Sequence, residues 1–240
     1  MFLAHDISNV RGVVAINSTT GVMTLTESSA TGANILSSAT NVAGTETFIA
    51  MYSSNELGLY NNDATTGATF GGGTLESLSY QPNKIVISPF NSNMLIVSSS
   101  SDNILATHSY NSAGPSTSAI DSVATTISPS DFTLGTVAGV NYIFTAGYND
   151  KKLASYSIDS TGNISSELDT ELITSPSNSQ PIALDFLAST APYKNLLFLA
   201  DRAYGANGQL SVYEVSSAGQ ITLLSSTPAI DAQAVAFIEN

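Results

Sequence analysis

The sequence predicts an all-β protein, a five-bladed β-propeller built of four-stranded antiparallel blades. Three observations predict it: turn glycines at near-constant spacing, four strand-like segments in each interval, and two chain ends that stop at the same phase of the repeat. The glycines are Gly21, Gly67, Gly114, Gly162 and Gly219, spaced by 46, 47, 48 and 57 residues. A strand-rich period in the forties is the sequence mark of a propeller. Gly219 is followed by 21 residues and Gly21 ends the first 21, so the two remnants together make close to one further period.

Taken in chain order, MFLAHD (1–6) reads as the second strand of a unit whose third and fourth strands are GVVAIN and VMTLTE. Its first strand is expected at the other end of the chain, AVAFIE (234–239). Residues 1–30 and 228–240 would then share a closing blade, which removes an open sheet edge and makes 1–240 a single propeller domain. The next unit is NILSSAT, TFIAMYS, LGLYNND and GATFGG, its first strand being the least regular. KIVISPF, MLIVSSS, ILATHSY and a weak segment after Gly114 follow, then DFTLGT, YIFTAGY, LASYSID and ISSEL. The last full unit is PIALDF (181–186), NLLFLAD (195–201), LSVYEV (210–215) and ITLLSS (221–226). Second strands are continuous apolar runs, as expected of strands buried on both faces, whereas first and third strands alternate. The turns NSTTG, DATTG, NSAG, DSTG and SSAG begin with Asn, Asp or Ser, whose side chain caps the turn, and end with the Gly that supplies positive φ. Six residues before the glycine a column forms from Ala15, His108, Tyr156 and Tyr213, with Tyr60 joining after a turn one residue longer. No window carries a helical apolar period.

Composition narrows the function. Apolar residues make up 42% of the chain and charged residues only 10%, with 19 acidic against 6 basic side chains and a net charge of −13. Phosphate backbones and anionic membrane surfaces demand the opposite charge, so nucleic acid is excluded as a partner. Absent cysteine excludes disulfides, thiol catalysis and thiolate metal sites. No run approaches the length of a membrane helix, and no signal peptide opens the chain.

The strand and turn columns resemble the YVTN or lactonase-like family of β-propeller repeats. The resemblance rests on LFLAD…QLSVYEVSSAGQIT (197–222), with fainter echoes in LASYSIDSTGNIS (153–165) and LGLYNNDATTGATF (57–70). It implies the propeller fold, though the family usually has seven blades and this chain has five units, which leaves two readings: a five-bladed ring or an excised part of a larger one. It also implies acidic and basic residues around a central pocket, for which Arg11, Arg202 and Lys84 are the basic candidates.

The residues themselves offer four candidate sets. His5 and His108 are the only histidines, and His108, standing in the tyrosine column, reads as a packing aromatic. Asp131, Asp185 and Asp231 fall on or beside first strands, where glycosidase carboxylates would converge; the plainer reading makes Asp131 and Asp231 strand-entry residues. The loops between second and third strands carry Asp6, Asn9, Asn55, Asp102, Asn103, Asn149, Asp150, Asp201 and Asn207. These oxygens make Ca²⁺ the one cofactor considered, against the ordinary use of Asx in tight turns. The segments 187–195 and 201–209 lengthen one interval to 57 residues and bring Tyr193, Lys194, Arg202 and Tyr204, residue types suited to a binding surface. The sequence reading is therefore a non-catalytic binding or scaffold propeller, monomeric and extracellular or cell-surface, that contacts a protein or glycan through those four residues. The alternative is a lactonase-like or glycosidase-like hydrolase with a central-channel site.

Overall fold

The structure, a computed structural model, describes residues 2–5, 10–16, 23–30, 34–63, 69–173, 179–188, 195–203 and 207–230. Every regular element among them is a strand, so no helix is long and apolar enough to cross a membrane. Contacts divide the chain into two compact units, residues 1–101 with 106–120 and residues 102–105 with 121–240.

In the first unit, β1 (Phe2–His5), β2 (Val10–Ile16) and β3 (Met23–Ala30) form one antiparallel sheet. A second sheet runs in chain order through β4 (Ile35–Thr40), β5 (Glu46–Met51), β6 (Glu56–Asn62) and β7 (Thr69–Ser77). A third orders β8 (Lys84–Ile87), β9 (Met94–Ser99), β10 (Ile104–Asn111) and the short β11 (Gly114–Pro115). The second unit follows with β12 (Asp121–Ala124). Its two four-stranded sheets are β13 (Pro129–Val137), β14 (Val140–Gly147), β15 (Lys152–Ser157) and β16 (Asp169–Leu172), then β17 (Ser179–Leu187), β18 (Leu196–Ala203), β19 (Asn207–Val215) and β20 (Ile221–Ile230). Along its main path each sheet is an up-and-down meander, the order expected of a propeller blade. The closing strand expected at 234–239 lies outside the described residues.

Local sequence explains the details. Second strands are buried along their length: all six residues of β9 are buried, as are Tyr142–Gly147 of β14. Gly114, Gly162 and Gly219 have φ of 140°, 99° and 79°, as their turns require. Asp159 Oδ1 accepts from the amides of Thr161 (2.8 Å) and Asn163 (3.0 Å), and Ser216 Oγ from that of Gln220 (3.1 Å), so the first turn residue caps as expected. The tyrosine column is core, with Tyr60, His108, Tyr156 and Tyr213 all buried. ISSEL is corrected: the fourth strand there is β16, later in the chain, and residue 164 makes only an isolated bridge to Ile158. Glu167 and Ser166 in that segment make side-chain and backbone contacts that hold a loop instead.

First strands share a device that pattern reading did not find. β4, β13 and β17 each carry a bulge at the same register, Ile35/Ser37, Pro129/Asp131 and Pro181/Ala183. Aligned on their second-strand partners, Ser37, Lys84, Asp131 and Ala183 occupy one position. Ser37 Oγ accepts from Ile85 N (3.2 Å) and Asp131 Oδ2 from Leu184 N (2.7 Å), so each strap ties a first strand to the next one. A bulge frees one residue from the ladder and re-aims its side chain, which is what the strap uses.

Candidate functional site

Antiparallel order puts the loop between second and third strands at the same end of a sheet as the link entering the first strand. There the chain reverses through Asn55, Asn103 and Lys151, with φ of 57°, 55° and 51°. Their carbonyls accept from Leu78 N (2.7 Å), Thr125 N (2.8 Å) and Ile173 N (2.8 Å). Asn tolerates this conformation better than other non-glycine residues, so Asn55 and Asn103 serve as turn formers. Asp150 Oδ2 accepts from Ser128 N at 2.7 Å and ties its loop to the same link. Among the described residues no three His, Cys, Asp or Glu side chains are grouped as an ion would need; Asp6 and Asn9 lie outside those residues.

At this end of the β17–β20 sheet stands the most concentrated polar constellation near a sequence candidate. Gln180 on β17 is the register partner of Arg202 on β18, and Arg202 Nη2 donates to Gln180 Oε1 at 3.5 Å. Asp201 precedes it and is fully buried, its side chain on the opposite face of the strand. Gln209, the partner of Asp201 on β19, donates through Nε2 to Ser211 Oγ at 2.7 Å. Gly208 is obligatory here, because a Cβ would lie 2.3 Å from the carbonyl oxygen of Asp201. Arg202 is half-buried, so its guanidinium, oriented by Gln180, can donate to a carbonyl or carboxylate oxygen. Tyr193, Lys194 and Tyr204 lie outside the described residues. Sequence reading singled out Arg202 but not its neighbours Gln180 and Gln209, whose only signal is a register that needs the paired strands to be known.

Among the described residues, the first-strand carboxylates Asp131 and Asp185 each accept from a backbone amide. Asp131 holds the strap to Leu184, and Asp185 Oδ1 accepts from the amide of Phe186 next to it at 2.9 Å. Asp231 is outside the described residues. Lys84 is half-buried on β8, and Arg11 and His5 lie on β2 and β1.

His108 is 1% exposed and works as a packing group with polar ends. Its Nδ1 donates to Ser116 O (2.8 Å), which leaves Nε2 to accept from the Tyr80 hydroxyl (2.7 Å). Burial lowers the imidazole below its ordinary 6.5, partly opposed by the Ser116 carbonyl. The unfolded chain therefore takes up a proton more readily, and the stability His108 contributes is complete above pH 6.5 and declines as pH falls below it. Wild type should lose more stability than His108→Gln between pH 7.5 and 5. Parallel pH profiles in urea unfolding would contradict this.

A second buried column residue, Tyr156, donates to Glu167 Oε2 at 3.0 Å, which also accepts from Thr126 Oγ1 at 2.6 Å; Thr170 donates to the other oxygen. Burial pushes the Glu167 carboxyl up, but the three hydroxyl donors outweigh it and the group is held below the usual carboxylate range. Its acceptors are filled by the protein, which makes it a clasp.

No family model matches the chain, and no curated protein matches it. Solved structures do. A periplasmic gluconolactonase from Pseudomonas aeruginosa is 15% identical, with a TM-score of 0.71 over 91% of this chain and 64% of its own. A Bacteroides fragilis protein named provisionally as a 6-phosphogluconolactonase is 14% identical, with a TM-score of 0.73 over 94% and 65%. A Lactobacillus plantarum protein is 18% identical, with a TM-score of 0.72 over 94% and 67%. The chain thus spans about two thirds of the length of these proteins. At such identities the likeness shows the fold alone, that of lactonase-like propellers. It corrects the sequence reading of a non-catalytic binding or scaffold module: these neighbours include one named as a gluconolactonase and one named provisionally as a 6-phosphogluconolactonase, and composition had no means of telling a spare acidic surface from that of a hydrolase.

Proposed function

We propose that this chain belongs to a lactone hydrolase acting on a small, neutral sugar lactone, with the Arg202–Gln180 end of β17 and β18 facing the substrate. The observation that carries the reading is the likeness to a gluconolactonase across nine tenths of this chain. Five blades are part of the proposal, supported by the five sheets among the described residues and by the five spaced glycines of the sequence. The reaction needs only water. Water adds to the lactone carbonyl carbon, the ring C–O bond breaks, and the ring oxygen leaves with a proton as the hydroxyl of the product acid. Charge develops on the carbonyl oxygen as water adds, and a guanidinium donor preset by Gln180 stabilises that charge more than the ground state.

Charge selects among lactones. A body of −13 with six cations repels a phosphorylated substrate and leaves a neutral one unaffected. Glucono-δ-lactone should be opened at least tenfold more efficiently than its 6-phosphate, a gap that narrows as salt screens the field. Arg202→Ala should lower kcat by about a hundredfold, the effect of removing one oxyanion donor, with unfolding by urea unchanged. A phosphorylated lactone preferred at low salt, or an Arg202→Ala enzyme with full kcat, would contradict the assignment.

A further inference from the structure

A cleft of ≈ 350 Å³ opens within the first unit where the turn between β10 and β11 passes β7. Its wall includes Glu76, Ser109, Tyr110, Asn111, Gly114 and Ser116. Gly114 brings the backbone close to β7: a Cβ there would meet Thr74 Cγ2 at 3.0 Å and stand 3.8 Å from Glu76 Oε1.

The polar groups of the wall divide into satisfied and open ones. Asn111 Oδ1 accepts from Ala113 N (2.8 Å), Ser116 Oγ donates to Ser118 O (3.0 Å), and the Tyr110 hydroxyl donates to Ser92 O. Among the described residues the Glu76 carboxylate and the Ser109 hydroxyl make no hydrogen bond within the protein. Hence the cleft offers one carboxylate, one hydroxyl and an aromatic ring, and its wall holds no cation. The Tyr110 ring is fixed by Phe48, 4.4 Å away between centroids. Burial and the charge of Glu46 both push the Tyr110 phenol up, so a second carboxylate acts on the same ring.

A carboxylate beside an aromatic ring, in a chain of charge −13, matches a cation with an apolar stem. We propose that this cleft binds a small aliphatic amine, its ammonium on Glu76 and its stem along Tyr110. A cavity of this size holds a ligand of a few heavy atoms and suits millimolar affinity. The site is independent of the lactonase reading, since none of its residues belongs to the Arg202 region.

The test is titration of the ¹⁵N-labelled full chain with n-butylammonium, n-butanol and glucose. The amine should shift the amides of residues 109–116 saturably, about tenfold more weakly in 0.5 M NaCl and in Glu76→Gln. The neutral isostere n-butanol should leave them unmoved. Among the described residues Glu76 makes no hydrogen bond, so Glu76→Gln should melt as wild type does. Absence of shifts up to about 50 mM amine, a far weaker binding than this chemistry supports, would overturn the proposal. So would Glu76→Gln binding as well as wild type, and so would glucose binding in place of the amine, which would assign the cleft to polyols.

Discussion

Replacing Phe144 by Ala should destabilise the protein by about 3–5 kcal/mol, since truncating a buried aromatic loses both its transfer energy and the packing around the cavity left behind. Phe144 is fully buried on β14, and its ring stacks on Tyr142 at 5.8 Å on one side and on Phe186 at 5.2 Å on the other. Tyr142 shares its sheet, whereas Phe186 belongs to β17, so the ring joins the two sheets of the second unit. Leu153, Leu184, Leu197 and Leu199 belong to the same apolar cluster. For a chain of this length such a loss lowers the melting temperature by about 10 °C. Urea unfolding reads it directly. A change below about 1 kcal/mol would mean that the cluster is not the core assigned here.

Gly135→Val should be the second largest effect. Gly135 lies on β13 opposite Tyr142, and a Cβ on it would stand 2.3 Å from two atoms of the Phe186 ring. No real contact is that short, so the ring must leave its stack on Phe144 or the strands must part. Overpacking of this kind costs about 1–3 kcal/mol, and β-branching adds bulk that the ring cannot avoid by rotating. The compensating double variant Gly135→Val with Phe186→Ala should recover part of the loss, because the two positions compete for one volume. Additive losses in the double variant would place the clash elsewhere.

These two predictions also show where sequence reading reaches and where it stops. The strands around Phe144 were legible because burial on both faces writes a continuous apolar run, as in YIFTAGY. The turn at Gly219 was legible because only a few residue types suit positive φ beside a Ser that caps. ISSEL misled because alternation there reflects a loop held by Glu167 hydroxyl contacts, and not a ladder. The straps from Ser37 and Asp131 were invisible, since a bulge shifts register by one residue and only the pairing reveals it. Asp131 read as a strand-entry residue, and its bond to the Leu184 amide could not be seen for the same reason. Arg202 was singled out as a cation in the segments that lengthen one repeat interval, but its partner Gln180 is 22 residues away and neutral, so nothing in composition marks it.

Function was legible least. A propeller's chemistry resides in a few side chains on a repeated frame, and the repeat advertises the frame. Tyrosines, turn glycines and apolar columns recur because each sheet needs them, while a reactive residue occurs once and has no period to reveal it. The acidic, lysine-poor composition that suggested a scaffold describes the solvent-facing surface and bears on catalysis only through which substrates it admits.

The lactone reading is tested most directly by the rate of acid release from glucono-δ-lactone at neutral pH, followed with a pH indicator, for native protein against the same protein unfolded in urea and diluted without refolding. Each ring opened yields one carboxylate and one proton, so the signal counts turnovers. The account predicts a saturable rate at least a thousandfold above spontaneous opening per equivalent of protein, well within what enzymes achieve. A native rate that cannot be told from the unfolded control, across glucono-δ-lactone and other neutral lactones, would contradict it.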